Sequence, residues 1–332
     1  MNPSPAAERF DFFVDRCLYD PDHGFYAQHG QAGGARGDFL TSPELGPLFG
    51  RLIGRYLDRV WEDLGRPPRF LVTECGAGRG ALAKAVLSSA PACGDALDYV
   101  TVERSARLRD AQRDLLGDSV TICSTLAEVA DGGLLDGVVI ANELLDNLAF
   151  RLVVRESDGW SEVFVVDDEP VLADGTSSWF PLPDAAVGAR LPLQEQARDW
   201  VVDVLDRLRV GRLLIIDYGV ATTAELVGRD WLRTYRGHDR GANPFEAPGS
   251  CDITADIAFD QLPTATRLCT QAEFLRELGI DELVEEGRRI WAERAHLGDL
   301  VAIGARSRGV EAEALLDPRS LGAFIVAEWR QG

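Results

Sequence analysis

Apolar residues recur at steps of three and four from Leu45 through Leu48, Phe49, Leu52, Ile53, Tyr56, Leu57, Val60 and Trp61 to Leu64. This spacing predicts one long helix with a broad apolar face against a core. Ser42 and Pro43 are expected at its N-cap and first helical position, with Glu44 in the first turn, and Gly65 followed by two prolines ends it. Ahead of it, "FDFFVDRCLYDPDHGFYA" reads as an aromatic helix that breaks at Asp20, Pro21 and Gly24. From residue 70 the period changes. Short apolar runs alternate with helical stretches: "RFLVTEC", "DYVTVE", "SVTIC", "LDGVVIAN", "GRLLIIDYG" and, later, "LVAIGA". A last helix-like segment, "GAFIVAEWRQG", closes the chain.

Strands that alternate with helices imply an α/β fold with a mostly parallel central sheet, and ligands of such sheets lie beyond the carboxyl ends of the strands. The expected division is a helical leader over residues 1–66, a core over 67–305 and a C-terminal segment over 306–332. Two stretches, about 150–192 and 220–265, are too long for ordinary crossovers and are expected as insertions over the ligand-binding edge. The first carries two β-rich runs around Asp158-Gly159, a hairpin signal. No repeat or low-complexity tract interrupts this order.

Composition narrows the picture. The chain has 332 residues, 46% of them hydrophobic, enough for a sizeable core. Its formal charge of −20 argues against a duplex-binding surface, so no nucleic-acid partner is expected. There is no apolar run long enough to span a membrane and no signal-peptide pattern at the start, which leads to the expectation of a cytoplasmic protein. Six scattered cysteines and four histidines lack any zinc-ligand spacing, and no metal is expected.

The chemistry concentrates in "VTECGAGRGAL", residues 72–82. Gly76-Ala77-Gly78-Arg79-Gly80-Ala81 satisfies the dinucleotide fingerprint, and Glu103 at the end of the next strand stands where a ribose-binding acid belongs. Tight strand-to-helix packing alone would also explain the glycines, and a solvated strand end would explain Glu103. Glu74 shifts the balance. A carboxylate at the mouth of the loop repels a pyrophosphate and attracts an ammonium or sulfonium group. The loop is therefore expected to hold S-adenosylmethionine, with Glu74 serving the methionine end and Glu103 the ribose hydroxyls. The fourth strand ends in Asn142, Glu143 and Asp146, which are expected to face the transferred methyl group. Asn142 is also what a plain helix cap would use. Glu143 and Asp146, three apart, form a paired carboxylate suited to a cationic acceptor. The fifth strand brings Asp217 and Tyr218 to the same rim.

Taken together, "LYDPDHGFYA", "GDFLTSPELGPLFG", "ECGAGRGAL", "VERSARLRDAQRDLL", "NELLDNLAF", "LLIIDYG", "LRTYRGH" and "TQAEFLRELGI" run in the order found in one family. The chain resembles the MidA-like methyltransferases, which include the mitochondrial complex I assembly-factor methyltransferase, over roughly residues 15–305. The resemblance implies a Rossmann-like methyltransferase fold, S-adenosylmethionine as cofactor and, for the mitochondrial members, symmetric dimethylation of an arginine in a partner protein. It carries the cofactor loop onto Glu74, Gly76, Gly78 and Gly80, the ribose acid onto Glu103, and the post-strand signature onto Asn142, Glu143 and Asp146. Gly37, Asp38, Phe39, Thr41, Ser42, Pro43 and Glu44 match the leader motif and are expected to fold over the cofactor. The chain departs from the family at Ala77, where proline is usual, and at Asp146-Asn147-Leu148-Ala149, which replaces "DALP" on the presumed acceptor side.

Methyl transfer from a sulfonium asks mainly for alignment and desolvation. An arginine acceptor asks in addition for carboxylates that orient the guanidinium, and Glu143, Asp146 and Asp217 are the candidates, with His238 as a proton acceptor. A protein substrate is the leading expectation. A small-molecule acceptor on the same fold and a cofactor-binding assembly factor with little turnover remain alternatives; a nicotinamide dehydrogenase is opposed by Glu74.

Overall fold

Seven strands form the central sheet: β1 (Phe70–Cys75), β2 (Leu97–Val102), β3 (Thr121–Cys123), β4 (Leu135–Asn142), β5 (Leu208–Asp217), β6 (Arg267–Thr270) and β7 (Ile325–Gln331), in the spatial order β6-β7-β5-β4-β1-β2-β3. They belong to a computed structural model that describes residues 7–28, 41–173, 175–236 and 239–332. Thr73 of β1 pairs with Val100 of β2 on one side and Val139 of β4 on the other, and Val139 pairs with Leu213 of β5, all in parallel register. β7 runs antiparallel between β5 and β6. The chain winds outward in one direction from β1 and in the other from β4. The crevice beyond the carboxyl ends of these two strands is the topological switch point where α/β sheets bind ligands.

Among the described residues, the α-helices of more than four residues are α1 (Phe10–Tyr19), α2 (Pro47–Asp63), α3 (Ala81–Ser88), α4 (Ala106–Leu116), α5 (Glu195–Arg207), α6 (Gln271–Glu277), α7 (Ile280–Arg294) and α8 (Leu300–Leu316). Sheet residues alternate between two cores because successive side chains leave a strand on opposite faces. Val138, Ile140, Leu214 and Ile216 pack with Leu48, Phe49, Leu52, Ile53, Tyr56, Leu57 and Val60 of α2. Val139, Ala141, Leu213 and Ile215 pack with Ala197, Val201 and Val204 of α5. The long amphipathic helix thus buries the expected face, but its start differs. Thr41, not Ser42, caps a short turn over Ser42–Glu44 through a capping box with Glu44, and α2 begins at Pro47. Ser42 is fully buried, its hydroxyl bonded to Gln271 at 3.2 Å.

A third core lies over the switch-point edge and joins three separate stretches of chain. Phe10, Phe13, Val14, Cys17 and Leu18 of α1 pack with Phe150, Leu152, Val153, Val163 and Val165 from the first long insertion and with Trp231, Ile253 and Ala255 from the second. The hairpin around Asp158-Gly159 is present, Arg151–Arg155 pairing antiparallel with Trp160–Val166, and Glu8–Arg9 adds a leader strand to it. In the second insertion, Leu232–Arg236 pairs antiparallel with Asp252–Ala255.

Two expected elements are corrected. "LVAIGA" is the first turn and a half of α8, capped by Asp299, whose carboxylate accepts the Ala302 N–H at 2.8 Å. A short apolar run does not by itself separate helix from strand. The terminal segment is strand β7 rather than a helix: Ala327 and Trp329 face one core and Val326 the other, while Glu328 is held by the Tyr56 hydroxyl at 2.9 Å and Arg212 at 3.1 Å.

Candidate active site

The loop after β1 is shaped by backbone bonds. Gly76 and Ala77 donate to the Val102 carbonyl, and Gly80 donates to the Ala77 carbonyl at 2.8 Å. Gly76 stands at φ +67°, and a Cβ there would meet Leu144 Cδ1 at 2.7 Å, so the strand-end chain after β4 lies directly against the loop. That position requires glycine. Gln112 of α4 fastens the loop from behind, donating to the Gly78 carbonyl at 2.7 Å while its Oε1 accepts from the Thr101 hydroxyl at 2.7 Å.

Two acids meet this loop. Glu103 accepts the Gly78 N–H at 2.9 Å and the Ser105 N–H at 2.8 Å, and burial pushes its carboxyl above the usual range. Glu74 is buried at the end of β1, accepts the Tyr99 hydroxyl at 2.7 Å, and is pushed up to about 7 by burial. Its carboxylate is held within the protein. A cleft of about 120 Å³ is lined by Thr41, Pro43, Glu44, Glu74, Gly76 to Arg79, Ala81, Leu82, Leu108, Asn142 and Glu143. Asn142 donates to Glu143 Oε1 at 3.2 Å, and its Oδ1 is buried with no hydrogen-bond partner. A buried acceptor atom left open at a cleft suits an ammonium group. Carboxylate, open amide oxygen and glycine backbone together fit the ribose and methionine ends of S-adenosylmethionine.

Beyond β4 and β5 lies a larger cavity of about 510 Å³. Its wall is shared with the cleft: Thr41 and Glu143 line both. Glu143 adopts φ +53°, a left-handed conformation uncommon for a residue with a side chain and a form of strain that concentrates at functional sites. Its N–H is fixed to the Ile216 carbonyl at 2.8 Å. Burial, then the neighbouring charge of Asp146, pushes the Glu143 carboxyl up to about 8, although the residue keeps some contact with solvent. Asp146 is buried, bonded to the Tyr218 hydroxyl through one oxygen, with the other oxygen buried and without a partner, and burial pushes it up to about 6. Asp252 joins them, accepting from Asn147 at 3.2 Å and from the Tyr26 hydroxyl at 3.3 Å. Arg233 lies in the same cavity, 5.0 Å over the Tyr218 ring and 2.6 Å from Asp256.

The structure gives Asp217 a different position from the one expected. It is fully buried and does not line the cavity; its carboxylate accepts the N–H groups of Leu145 at 2.9 Å, Asp146 at 3.3 Å and Tyr218 at 2.9 Å. Burial and the charges of Asp146 and Glu143 raise its pKa far above the usual carboxylate range. Asp217 therefore ties the turn carrying Asp146 to the end of β5. Gly37, Asp38, Phe39 and His238 lie outside the described residues. Ser42 is near without lining either cavity, its backbone N–H bonding Glu143. Sequence reasoning did not single out Tyr99, Gln112, Arg233, Tyr235, Asp252 or Asp256. The segments holding most of them carried motif signals, but the convergence of the side chains depends on strand pairing. Among the described residues there is no group of three or more His, Cys, Asp or Glu side chains able to hold a metal ion, and no helix long and apolar enough to cross a membrane.

A family profile described as S-adenosyl-L-methionine-dependent methyltransferase matches residues 52–277. The chain is 28% identical over 317 residues to the mouse protein named protein arginine methyltransferase NDUFAF7, mitochondrial, an alignment covering 81% of this chain and 70% of the relative. It is 25% identical over 338 residues to the Caenorhabditis elegans homolog of that name, covering 87% and 77%. A crystal structure of a Burkholderia thailandensis protein bound to S-adenosyl-homocysteine superposes with a TM-score of 0.81 at 28% identity, covering 98% of this chain and 88% of that one. These names correct the expectation of a cytoplasmic location: the relatives are mitochondrial by name, and a start without signal-peptide features does not separate the two compartments. The fold is that of a Rossmann-like methyltransferase, and the protein is an enzyme whose cofactor is S-adenosylmethionine. The chain belongs to the MidA-like family of S-adenosyl-L-methionine-dependent methyltransferases.

Proposed function

We propose that this enzyme methylates the guanidinium of an arginine in a protein substrate. The observation that carries the reading is the cavity beside the cofactor cleft, where Glu143, Asp146 and Asp252 converge and Glu143 forms the shared wall. Burial raises Glu143 and Asp146, Arg233 offsets only part of that rise at Asp146, and an entering guanidinium supplies a further cation. Arg233 supports the match from within: a guanidinium already stacks on Tyr218 in this cavity. The names of the curated relatives point the same way.

In this reading Glu103 receives the ribose hydroxyls, Asn142 Oδ1 receives the ammonium group, and Gly76, Ala77, Gly78 and Gly80 let the backbone approach. Glu74, held by the Tyr99 hydroxyl, ties β1 to β2 below the loop. The bound cofactor supplies an electrophilic methyl group. Glu143 and Asp146 orient the acceptor so that charge is drawn toward the carboxylates and one nitrogen keeps its lone pair for the methyl carbon. Glu143 would take the proton that the acceptor nitrogen loses on methylation. Asp217 acts through Asp146, and Thr41 and Glu44 with Ser42 close the side nearest Glu143.

The test is a peptide library incubated with S-adenosylmethionine, with methylated residues located by mass spectrometry. Methyl groups are expected on arginine, and Glu143→Gln is expected to lower turnover by roughly 10²-fold or more while S-adenosylhomocysteine affinity stays within a few-fold of wild type. Methylation confined to lysine or to free small amines would overturn the reading.

A further inference from the structure

The large cavity is divided by charge along its depth. Asp146 and Asp252 on its floor are 4% and 5% exposed. Three arginines lead from there to the mouth, Arg233 over the Tyr218 ring beside the floor, then Arg229 and Arg319, with side-chain exposure rising from 21% to 50% and 89%. Asp256 faces two of them, 2.6 Å from Arg233 and 3.7 Å from Arg229. Arg319 is paired with Asp317 at 3.3 Å, its guanidinium being the more exposed partner at 89% against 32%. Set against Asp256 and Asp317, the three arginines leave one positive charge toward the mouth of a chain whose formal charge is −20, while the floor is negative.

A ligand matched to both zones carries a cation at its tip and an anion one residue away. We propose that Arg229, Arg233 and Arg319 read an acidic residue next to the acceptor arginine, so that the substrate segment is an arginine flanked by aspartate or glutamate. The inference rests on the arginine reading above and adds a sequence preference to it. A purely acidic pocket would favour runs of basic residues, because each flanking cation would add attraction. The arginine collar reverses that preference at the flanks while leaving the floor selective for the guanidinium. The contacts at the mouth are partly exposed, so the preference weakens as salt rises.

The experiment compares three peptides of equal length in which the same arginine is flanked by aspartate, alanine or lysine, each methylated by the full chain with S-adenosylmethionine at low salt. kcat/KM is expected to be highest for the aspartate peptide, about 10-fold above the lysine peptide. In the Arg229→Glu/Arg319→Glu variant the order is expected to invert, with S-adenosylhomocysteine affinity and melting midpoint kept as checks on folding. If the double variant fails to fold, Arg319→Glu alone still narrows the preference. Equal rates for all three flanks, or the same order in wild type and variant, would overturn the inference and leave arginine methylation standing. Absence of arginine methylation with every flank would remove both.

Discussion

The cleft at the glycine loop draws its polar groups from the ends of β1 and β4, from Thr41 and Glu44 of the leader turn and from the glycine backbone, within about 120 Å³. The cavity across Glu143 draws carboxylates and arginines from the turn after β4, the second insertion and the loop before β7, and Tyr218 from just past the end of β5, within about 510 Å³. Both open at the same switch point. They differ in what fixes them. The cleft depends on backbone conformation: glycines at positive φ, Gln112 behind the loop and Glu103 in front. The cavity depends on side chains held by other side chains, such as Asp146 by Tyr218 and Asp252 by Tyr26. A cofactor that is always the same molecule suits a rigid backbone cradle, whereas an acceptor that distinguishes one substrate suits a surface whose residues can change singly.

Paired substitutions break this contrast most sharply. Gly76→Val drives a branched side chain into Leu144 at a backbone angle of +67°. It is expected to weaken S-adenosylhomocysteine binding on the order of 10²-fold and to cost about 1–3 kcal/mol of stability. Asp252→Asn on the other side is expected to leave cofactor affinity within a few-fold and to lower transfer to arginine about 10-fold. Calorimetric titration and an initial-rate assay check both. If Asp252→Asn weakens the cofactor as much as Gly76→Val does, the two cavities are not separate in function.

The same contrast governs what could be read from the chain. The glycine loop, Glu103 and the face of α2 are contiguous patterns with a local cause, and they stand in the structure where spacing put them. β7 and the start of α8 were exchanged in kind because each is a short apolar run whose state is decided by neighbours: β7 by a slot between β5 and β6, α8 by the cap at Asp299. Asp217 was legible as an acid at a strand end but not as one turned inward, since only the structure reveals the three N–H groups that claim it. Arg233 and Asp252 lie in segments already marked as motif-bearing, yet no local signal tells that Leu232–Arg236 pairs with Asp252–Ala255 and brings both residues to Asp146.

A smaller effect follows from proton binding. Glu143, Glu74 and Asp146 are raised to about 8, 7 and 6, so the folded protein without ligands holds protons that the unfolded chain has already released. Stability is then fully present below the unfolded carboxyl range and declines as pH rises through these values. The melting midpoint is expected to fall between about pH 5.5 and 8.5, and Glu143→Gln is expected to flatten that fall by on the order of 1 kcal/mol, discounted for its partial exposure. A midpoint that climbs over this range, or a variant with the slope of wild type, would show that these acids are compensated in the free protein.

The most direct measurement is a crystal structure of the complex with S-adenosylhomocysteine and an arginine peptide. The account predicts the adenosyl ribose at Glu103, the peptide guanidinium between Glu143 and Asp146, and a guanidino nitrogen facing the sulfur across the shared wall. A guanidinium bound elsewhere, or Glu143 turned to the ribose instead of the acceptor, would contradict it.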